Sequence, residues 1–89
     1  KGIRVNAISA GPIKTLSAGG IPGFRDLLRH FDSVAPMREL VTPEHVGQAA
    51  LFLASDMSTH VTGEIMHVDS GYNVLGLTVA RDVIDEAKE

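Results

Sequence analysis

Residues 5–15 read VNAISAGPIKT, an apolar run that passes through a Gly-Pro pair into the polar residues Lys14 and Thr15. Alternation over residues 3–9 predicts a β-strand whose second face becomes apolar towards its end, as in a parallel sheet covered on both sides by helices. Ligands of open α/β sheets bind beyond the carboxyl ends of the strands, which is where residues 10–15 fall. The stretch therefore predicts a parallel strand that ends in a ligand-binding turn.

Two helices and a second strand are predicted after this turn. The first helix covers residues 24–31, where apolar residues recur at helical spacing, namely Phe24, Leu27, Leu28 and Phe31. The second begins at Thr42, which can cap it, with Pro43 in the first helical position, and runs to about residue 54. Its predicted buried stripe is Val46, Ala49, Ala50, Leu53 and Ala54. A strand over residues 64–69 then completes a parallel crossover, so the fold class is α/β.

The two predicted strands do not make a complete sheet. Each strand needs hydrogen-bonded neighbours on its edges, and the sequence supplies no further strand. The chain also opens with Lys1 and Gly2, without an initiator Met, immediately before an apolar run. We therefore expect residues 1–89 to be a segment of a longer polypeptide.

Composition excludes several classes of function. The formal net charge of −3 gives no electrostatic case for binding nucleic acid or an anionic membrane surface. No apolar stretch approaches the ~18 residues of a membrane-spanning helix. The absence of cysteine excludes disulfides, thiolate metal sites and a cysteine nucleophile, and it suits a cytoplasmic protein. The four histidines lie in different elements without ligand spacing, so no metal site is expected, and no nucleophile-elbow pattern supports a Ser-His-Asp triad.

The turn and the loop after it carry the chemistry. Pro12 fixes its own φ angle and so directs the amide and carbonyl of Ile13, a donor and an acceptor that suit a carboxamide. The Thr15 hydroxyl can reach a phosphate oxygen, and Lys14 adds positive charge. The alternative is that Gly-Pro merely ends a strand. Residues 15–24 are rich in glycine yet hold isolated apolar residues, a composition that favours a lid over a solvated linker.

The sequence resembles the short-chain dehydrogenase/reductases. Residues 4–15 are similar to the late strand and nicotinamide loop of that superfamily, but Gly11-Pro12 reverses the usual Pro-Gly order. The reversal and the following Ile-Lys-Thr-Leu resemble the divergent branch of NADH-dependent enoyl-acyl-carrier-protein reductases of bacterial type. Further similar segments are residues 20–24 (GIPGF), 35–38 (APMR), 42–47 (TPEHVG), 52–56 (FLASD), 61–64 (VTGE) and 67–72 (HVDSGY).

This resemblance implies a fold and a set of binding residues. The chain would be the C-terminal third of a Rossmann-type doubly wound parallel sheet, with residues 15–24 as the substrate-binding loop. The charged composition of residues 80–89, beyond the similar segments, predicts a charged tail. NAD, as NADH, would contact the backbone of Ile13 at its nicotinamide and Thr15 at its pyrophosphate. The full cofactor-binding set is Ile13, Lys14, Thr15, Leu16 and Ser17, and the substrate-binding set is Ser17, Ile21 and Phe24.

The resemblance also implies an activity and its partners. The whole enzyme would reduce trans-2-enoyl thioesters carried by acyl carrier protein, and it would act as a homotetramer. The family's catalytic Tyr and Lys would lie upstream in the same polypeptide, so that Tyr72 and Lys1 are not those residues and no catalytic residue lies in this chain. The alternatives are another short-chain dehydrogenase, such as a 3-oxoacyl-carrier-protein reductase, and a non-catalytic interaction module.

Overall fold

The structure, a computed structural model, describes residues 1–15 and 18–79. It contains two strands, β1 and β2, and two α-helices, α1 and α2. Their bounds are Ala7–Ala10 for β1, Phe24–Val34 for α1, Pro43–Ala54 for α2 and Ile65–Val68 for β2. Short 3-10 turns lie at Ala18–Gly20, Asp56–Ser58 and Tyr72–Val74. Within the described ranges, no helix is long and apolar enough to cross a membrane.

The strands pair in parallel, which confirms the predicted crossover and the α/β class. Ala7 lies opposite Ile65, and the register continues to Ala10 opposite Val68. One further hydrogen bond follows the ladder, because the amide of Gly11 donates to the carbonyl of Val68 at 3.0 Å. Both strands therefore end at the same edge of the sheet, directly before Gly11 and Asp69.

The strand predicted over residues 3–9 is shorter than expected, because β1 begins only at Ala7. Before that point side-chain hydrogen bonds accompany a backbone bond, from the amide of Gly63 to the carbonyl of Val5 at 2.8 Å. The Asn6 amide group accepts a hydrogen bond from the amide of Glu64 at 3.0 Å and donates to the carbonyl of Val61 at 2.9 Å. The amide of Val5 donates to the Thr62 hydroxyl at 3.0 Å. The second strand, predicted over residues 64–69, is likewise limited to Ile65–Val68.

The start of α2 confirms the predicted cap and adds an unpredicted partner. The Thr42 hydroxyl accepts a hydrogen bond from the amide of His45 at 3.3 Å. In return, Nδ1 of His45 accepts one from the amide of Thr42 at 3.0 Å. This is a capping box in which histidine takes the place usually held by Glu or Gln.

The predicted buried stripe of α2 was wrong in part. Val46, Ala49 and Leu53 are half-buried, whereas Ala50 and Ala54 are exposed. The reason is that α2 covers only two strands, with an open cleft of about 530 Å³ between the helix and the start of the chain. The opposite face of the sheet is exposed rather than covered in the described residues, since Val5 and Ile65 are 70% and 61% exposed.

The core lies at the carboxyl ends of the strands. Its buried members are Phe31, Ala35 and Val41, and the Tyr72 ring stacks on Phe31 with 5.2 Å between the ring centroids. Helix α1 continues to Val34, three residues beyond the predicted end, and turns extended at Ala35 immediately before Pro36. The best-packed part of the chain thus supports the strand ends.

Candidate functional site

Gly11 permits a close approach between the end of β1, helix α1 and the end of β2. A Cβ atom at this position would lie 2.9 Å from Cζ of Phe31 and 3.3 Å from Cα of Asp69. Both distances are shorter than ordinary carbon–carbon contacts. Glycine is therefore required here for steric reasons.

The facing strand ends in a turn that is held by the Asp69 carboxylate. Its two oxygens accept hydrogen bonds from the amide of Gly71 at 3.1 Å and the amide of Asn73 at 3.0 Å. Ser70 and Gly71 both have positive φ angles, 55° and 87°. The Ser70 hydroxyl donates to the carbonyl of Glu39 at 2.7 Å. The sequence predicted Asp69 only as the end of the second strand, although an Asp followed by Ser-Gly is the usual signal for such a carboxylate-bonded turn.

The residues predicted to contact a cofactor follow Gly11 at this edge. Ile13 is half-buried and packs against the core of Phe31, Ala35 and Val41, whereas Lys14 and Thr15 are exposed. In the described part of the chain, no hydrogen bond uses the backbone amide or carbonyl of Ile13. The Thr15 carbonyl accepts a hydrogen bond from the amide of Gly19 at 3.0 Å. Leu16 and Ser17, also predicted at this site, lie outside the described residues.

The predicted substrate residues are separated by the structure. Phe24 is half-buried and lines a cleft of about 310 Å³ together with Lys14, Leu28 and Leu40. Ile21 does not line that cleft, and its side chain is 56% exposed. The amide of Phe24 donates to the carbonyl of Ile21 at 3.2 Å, so the two residues are joined through the backbone. The structure thus brings Lys14 and Phe24 to one cleft and leaves Ile21 at its margin.

A second cleft, of about 330 Å³, lies between the strand ends and α1, on the other side of Gly11 and Pro12. Its walls include Phe31 and Tyr72 and the polar side chains of His30, His67 and Asp69. Within residues 1–15 and 18–79, no group of three or more His, Cys, Asp or Glu side chains is placed to hold a metal ion. The apolar rings and the polar side chains of this lining suit an organic ligand with both apolar and hydrogen-bonding parts.

Comparison with known proteins identifies this arrangement. Residues 1–73 match the family model described as "Enoyl-(Acyl carrier protein) reductase". The chain belongs to the enoyl-(acyl carrier protein) reductase family. Its reversed Gly11-Pro12 pair and its parallel sheet edge are thus features of a member of this family, and the resemblance seen in the sequence is confirmed.

Curated enoyl-(acyl carrier protein) reductases align with most of the chain. The enzyme named enoyl-[acyl-carrier-protein] reductase [NADH] FabI from Bacillus cereus is 59% identical over 75 residues, which are 84% of this chain and 29% of that enzyme. The enzyme of the same name from Escherichia coli is 52% identical over 77 residues, 86% of this chain and 29% of that enzyme. The chain therefore spans less than a third of the length of these relatives.

A solved reductase of the same family confirms the fold. The crystal structure of the Bacillus cereus enoyl-acyl carrier protein reductase with NADP+ and indole naphthyridinone superimposes with a TM-score of 0.80 at 59% identity. The superposition covers 85% of this chain and 30% of that one. The order of strand, two helices and parallel strand is thus that of a Rossmann-type reductase.

Proposed function

We propose that the protein containing this chain is an NADH-dependent enoyl-[acyl-carrier-protein] reductase, which reduces trans-2-enoyl thioesters in fatty acid elongation. The observation that carries the proposal is the sheet edge itself: Gly11 is pressed between Phe31 and Asp69, and it is followed by Ile13, whose backbone makes no hydrogen bond within residues 1–15 and 18–79. Family membership and two relatives named as NADH reductases support the same activity.

In this proposal, residues 1–89 are the C-terminal segment of a single Rossmann-type domain, and residues 13–17 contact NAD. Ile13 is anchored in the core by its side chain, so its amide and carbonyl are available to pair with the nicotinamide carboxamide. The exposed Lys14 and the Thr15 hydroxyl suit the pyrophosphate. Leu16 and Ser17 complete the proposed set outside the described residues. The absence of a side chain at Gly11 keeps the backbone close to the ligand edge.

Residues 15–24 form the proposed substrate-binding loop, with Ser17, Ile21 and Phe24 towards the acyl chain. Phe24 lines the cleft that also contains Lys14, so its apolar ring lies near one of the proposed cofactor residues, which supports this role. The exposed Ile21 gives the loop an apolar surface with which to cover a bound acyl chain. A covered chain excludes water from the reacting double bond.

The contribution of this chain to the reaction is one of position. When bound, NADH supplies the hydride that reduces the enoyl double bond. Ile13 and Thr15 fix the orientation of the cofactor, and the loop holds the thioester against it. The loss of translational entropy then occurs on binding, before the reaction step, which lowers the barrier to that step. We assign no proton-donating residue to this chain, and the catalytic Tyr and Lys are proposed to belong to the rest of the polypeptide.

The proposed enzyme is a cytoplasmic homotetramer. Leu51 on α2 is 70% exposed and Ile65 on β2 is 61% exposed, and packing of these elements against another copy would bury both side chains. Acyl carrier protein, with its enoyl thioester, is the proposed macromolecular partner, and neither nucleic acid nor membrane is one.

The test is an assay of the complete gene product that contains this chain. Crotonyl and acetoacetyl thioesters are each assayed with NADH and with NADPH. The cofactor concentration is on the order of micromolar, in the range of typical KM values, and oxidation of the cofactor is followed by its absorbance at 340 nm. We expect crotonyl reduction with NADH. Acetoacetyl reduction without crotonyl reduction would assign a 3-oxoacyl-carrier-protein reductase instead. A cooperative, monomeric thermal transition of residues 1–89 alone, with no reduction of either thioester by the complete protein, would favour an interaction module.

A further inference from the structure

The segment that follows β2 returns to helix α1, which begins at the proposed substrate-binding residue Phe24. After the 3-10 turn at Tyr72–Val74, residues 75–79, here called the strap, lie beside the end of α1. A cleft of about 360 Å³ has the strap on one side and Ser33, Val34 and Arg38 on the other. The strap therefore lies near α1 in space although it is distant in the sequence. His30 and Thr78, for example, are 48 residues apart.

One hydrogen bond joins the strap to α1 in the described part of the chain. Nε2 of His30 lies 3.0 Å from the Thr78 hydroxyl oxygen. In one tautomer the ring donates, and in the other the hydroxyl donates. Thr78 is half-buried, whereas its neighbour Leu77 is 98% exposed, so the strap turns its polar residue inwards and its apolar residue outwards.

This hydrogen bond acts on a helix whose other contacts include the core packing of Phe31 and a hydrogen bond from the Arg38 guanidinium to the carbonyl of Ser33. Leu28 and Phe31 are buried, whereas Leu27 on the same helix is 51% exposed. The packing at Phe31 is tight, but apolar contact is non-directional and sets the rotation of the helix less specifically than a hydrogen bond does. A hydrogen bond is directional, and His30 lies about 9 Å along the helix axis from Phe24. Phe24 is in turn bonded through its amide to Ile21 of the loop.

We propose that Thr78 is a positioning residue for substrate binding. By holding His30, it fixes the rotation of α1 and therefore the placement of Phe24 and of the loop that leads into the helix. Thr78 touches neither cofactor nor substrate in this proposal. The proposal rests on the proposed function, because Phe24 matters only where the loop binds an acyl chain.

The test compares Thr78→Val, which keeps the shape and removes the hydroxyl, with Thr78→Ser, which restores it. Leu77→Ala is the matched control on the same strap. In the complete gene product we expect Thr78→Val to raise KM for crotonyl thioester about two- to tenfold, the range that a lost hydrogen bond gives. KM for NADH and kcat should stay within about twofold of the wild type. Thr78→Ser and Leu77→Ala should resemble the wild type.

Amide hydrogen exchange of residues 27–34 supplies a second readout that does not depend on turnover. We expect faster exchange in Thr78→Val and unchanged exchange in Leu77→Ala. Faster exchange in Thr78→Val with an unchanged KM for crotonyl thioester would show that the contact is merely structural, and this would overturn the proposal. Unchanged exchange in Thr78→Val would also overturn it. A rise in the NADH KM equal to that for crotonyl thioester would also overturn it. An inactive wild-type protein would refute the proposed function and with it the substrate role, while exchange would still show whether Thr78 holds α1.

Discussion

Replacing Gly11 by alanine places a methyl group at the tightest point of the sheet edge. The new Cβ lies 2.9 Å from Cζ and 3.2 Å from Cε2 of Phe31, and 3.3 Å from Cα of Asp69. Gly11 is not among the glycines with a positive φ angle, so alanine can adopt its backbone conformation. The predicted cost is therefore steric and does not include backbone strain.

The magnitude follows from how little the neighbours can move. Phe31 is 3% exposed and stacks on Tyr72, so its ring cannot turn away into solvent. On the other side, the Gly11 amide is bonded to Val68 and the Asp69 carboxylate is bonded to two amides. Overpacking by one methyl group in such surroundings costs about 1–3 kcal/mol. A Gly-to-Ala change in open space would instead stabilise the protein by about 0.4–1 kcal/mol.

The assay is thermal unfolding of the complete gene product. For a protein of roughly 150–250 residues each kcal/mol corresponds to about 2–4 °C, so Gly11→Ala should lower Tm by about 2–12 °C. Gly47→Ala is the matched control, because nothing lies within 4 Å of its added Cβ in helix α2. That variant should be as stable as the wild type or more stable. Since Gly11 lies two residues before Ile13, a proposed cofactor contact, we also expect Gly11→Ala to raise KM for NADH.

A double-mutant cycle with Phe31→Leu makes the reasoning refutable. The leucine lacks the ring atoms that collide with the new methyl group, so the double variant should lose less stability than the two single variants together. Additive losses would show that the collision with Phe31 does not produce the effect. A Gly11→Ala protein with the Tm of the wild type would show that the edge is less tightly packed than the structure indicates.

Three further predictions concern the cap of α2, the cofactor edge and the amino end of the sheet. Thr42→Ala should cost about 1 kcal/mol because it removes the capping hydroxyl, whereas Thr42→Ser should retain stability in the same unfolding assay. Lys14→Met should raise KM for NADH up to about fivefold at low salt, whereas Lys14→Arg should have a KM near that of the wild type. An unchanged KM in Lys14→Met would show that Lys14 does not contact the cofactor. The Arg4 guanidinium donates to the carbonyl and hydroxyl oxygens of Ser58 at 2.8 and 2.9 Å, so Arg4→Met should cost about 1.5–3 kcal/mol in urea unfolding. Arg29 is exposed, so Arg29→Met is the control. An equal loss of unfolding free energy in the two variants would contradict this role for Arg4.

Local patterns in the sequence predicted the elements well. The spacing of Phe24, Leu28 and Phe31 predicted α1, and Thr42-Pro43 predicted the start of α2, because capping and helical periodicity depend on residues within one or two turns. The strand bounds were less accurate. Before β1, the side chains of Asn6 and Thr62 supply part of the pairing beside the backbone bond from Gly63 to Val5, and these contacts join residues more than fifty positions apart.

By itself, the sequence determined the α/β class, the parallel crossover and the family, because these follow from the order of elements and from the Gly11-Pro12 turn with its linked motifs. Tertiary structure alone showed why residue 11 must lack a side chain, since Phe31 and Asp69 reach it only after the chain has folded back. It also brought Phe24, but not Ile21, to the cleft that contains Lys14, and it joined Thr78 to His30. The physical reason is range: capping, turns and periodicity are set by near neighbours, whereas steric fit and long-range hydrogen bonds arise only where distant segments meet.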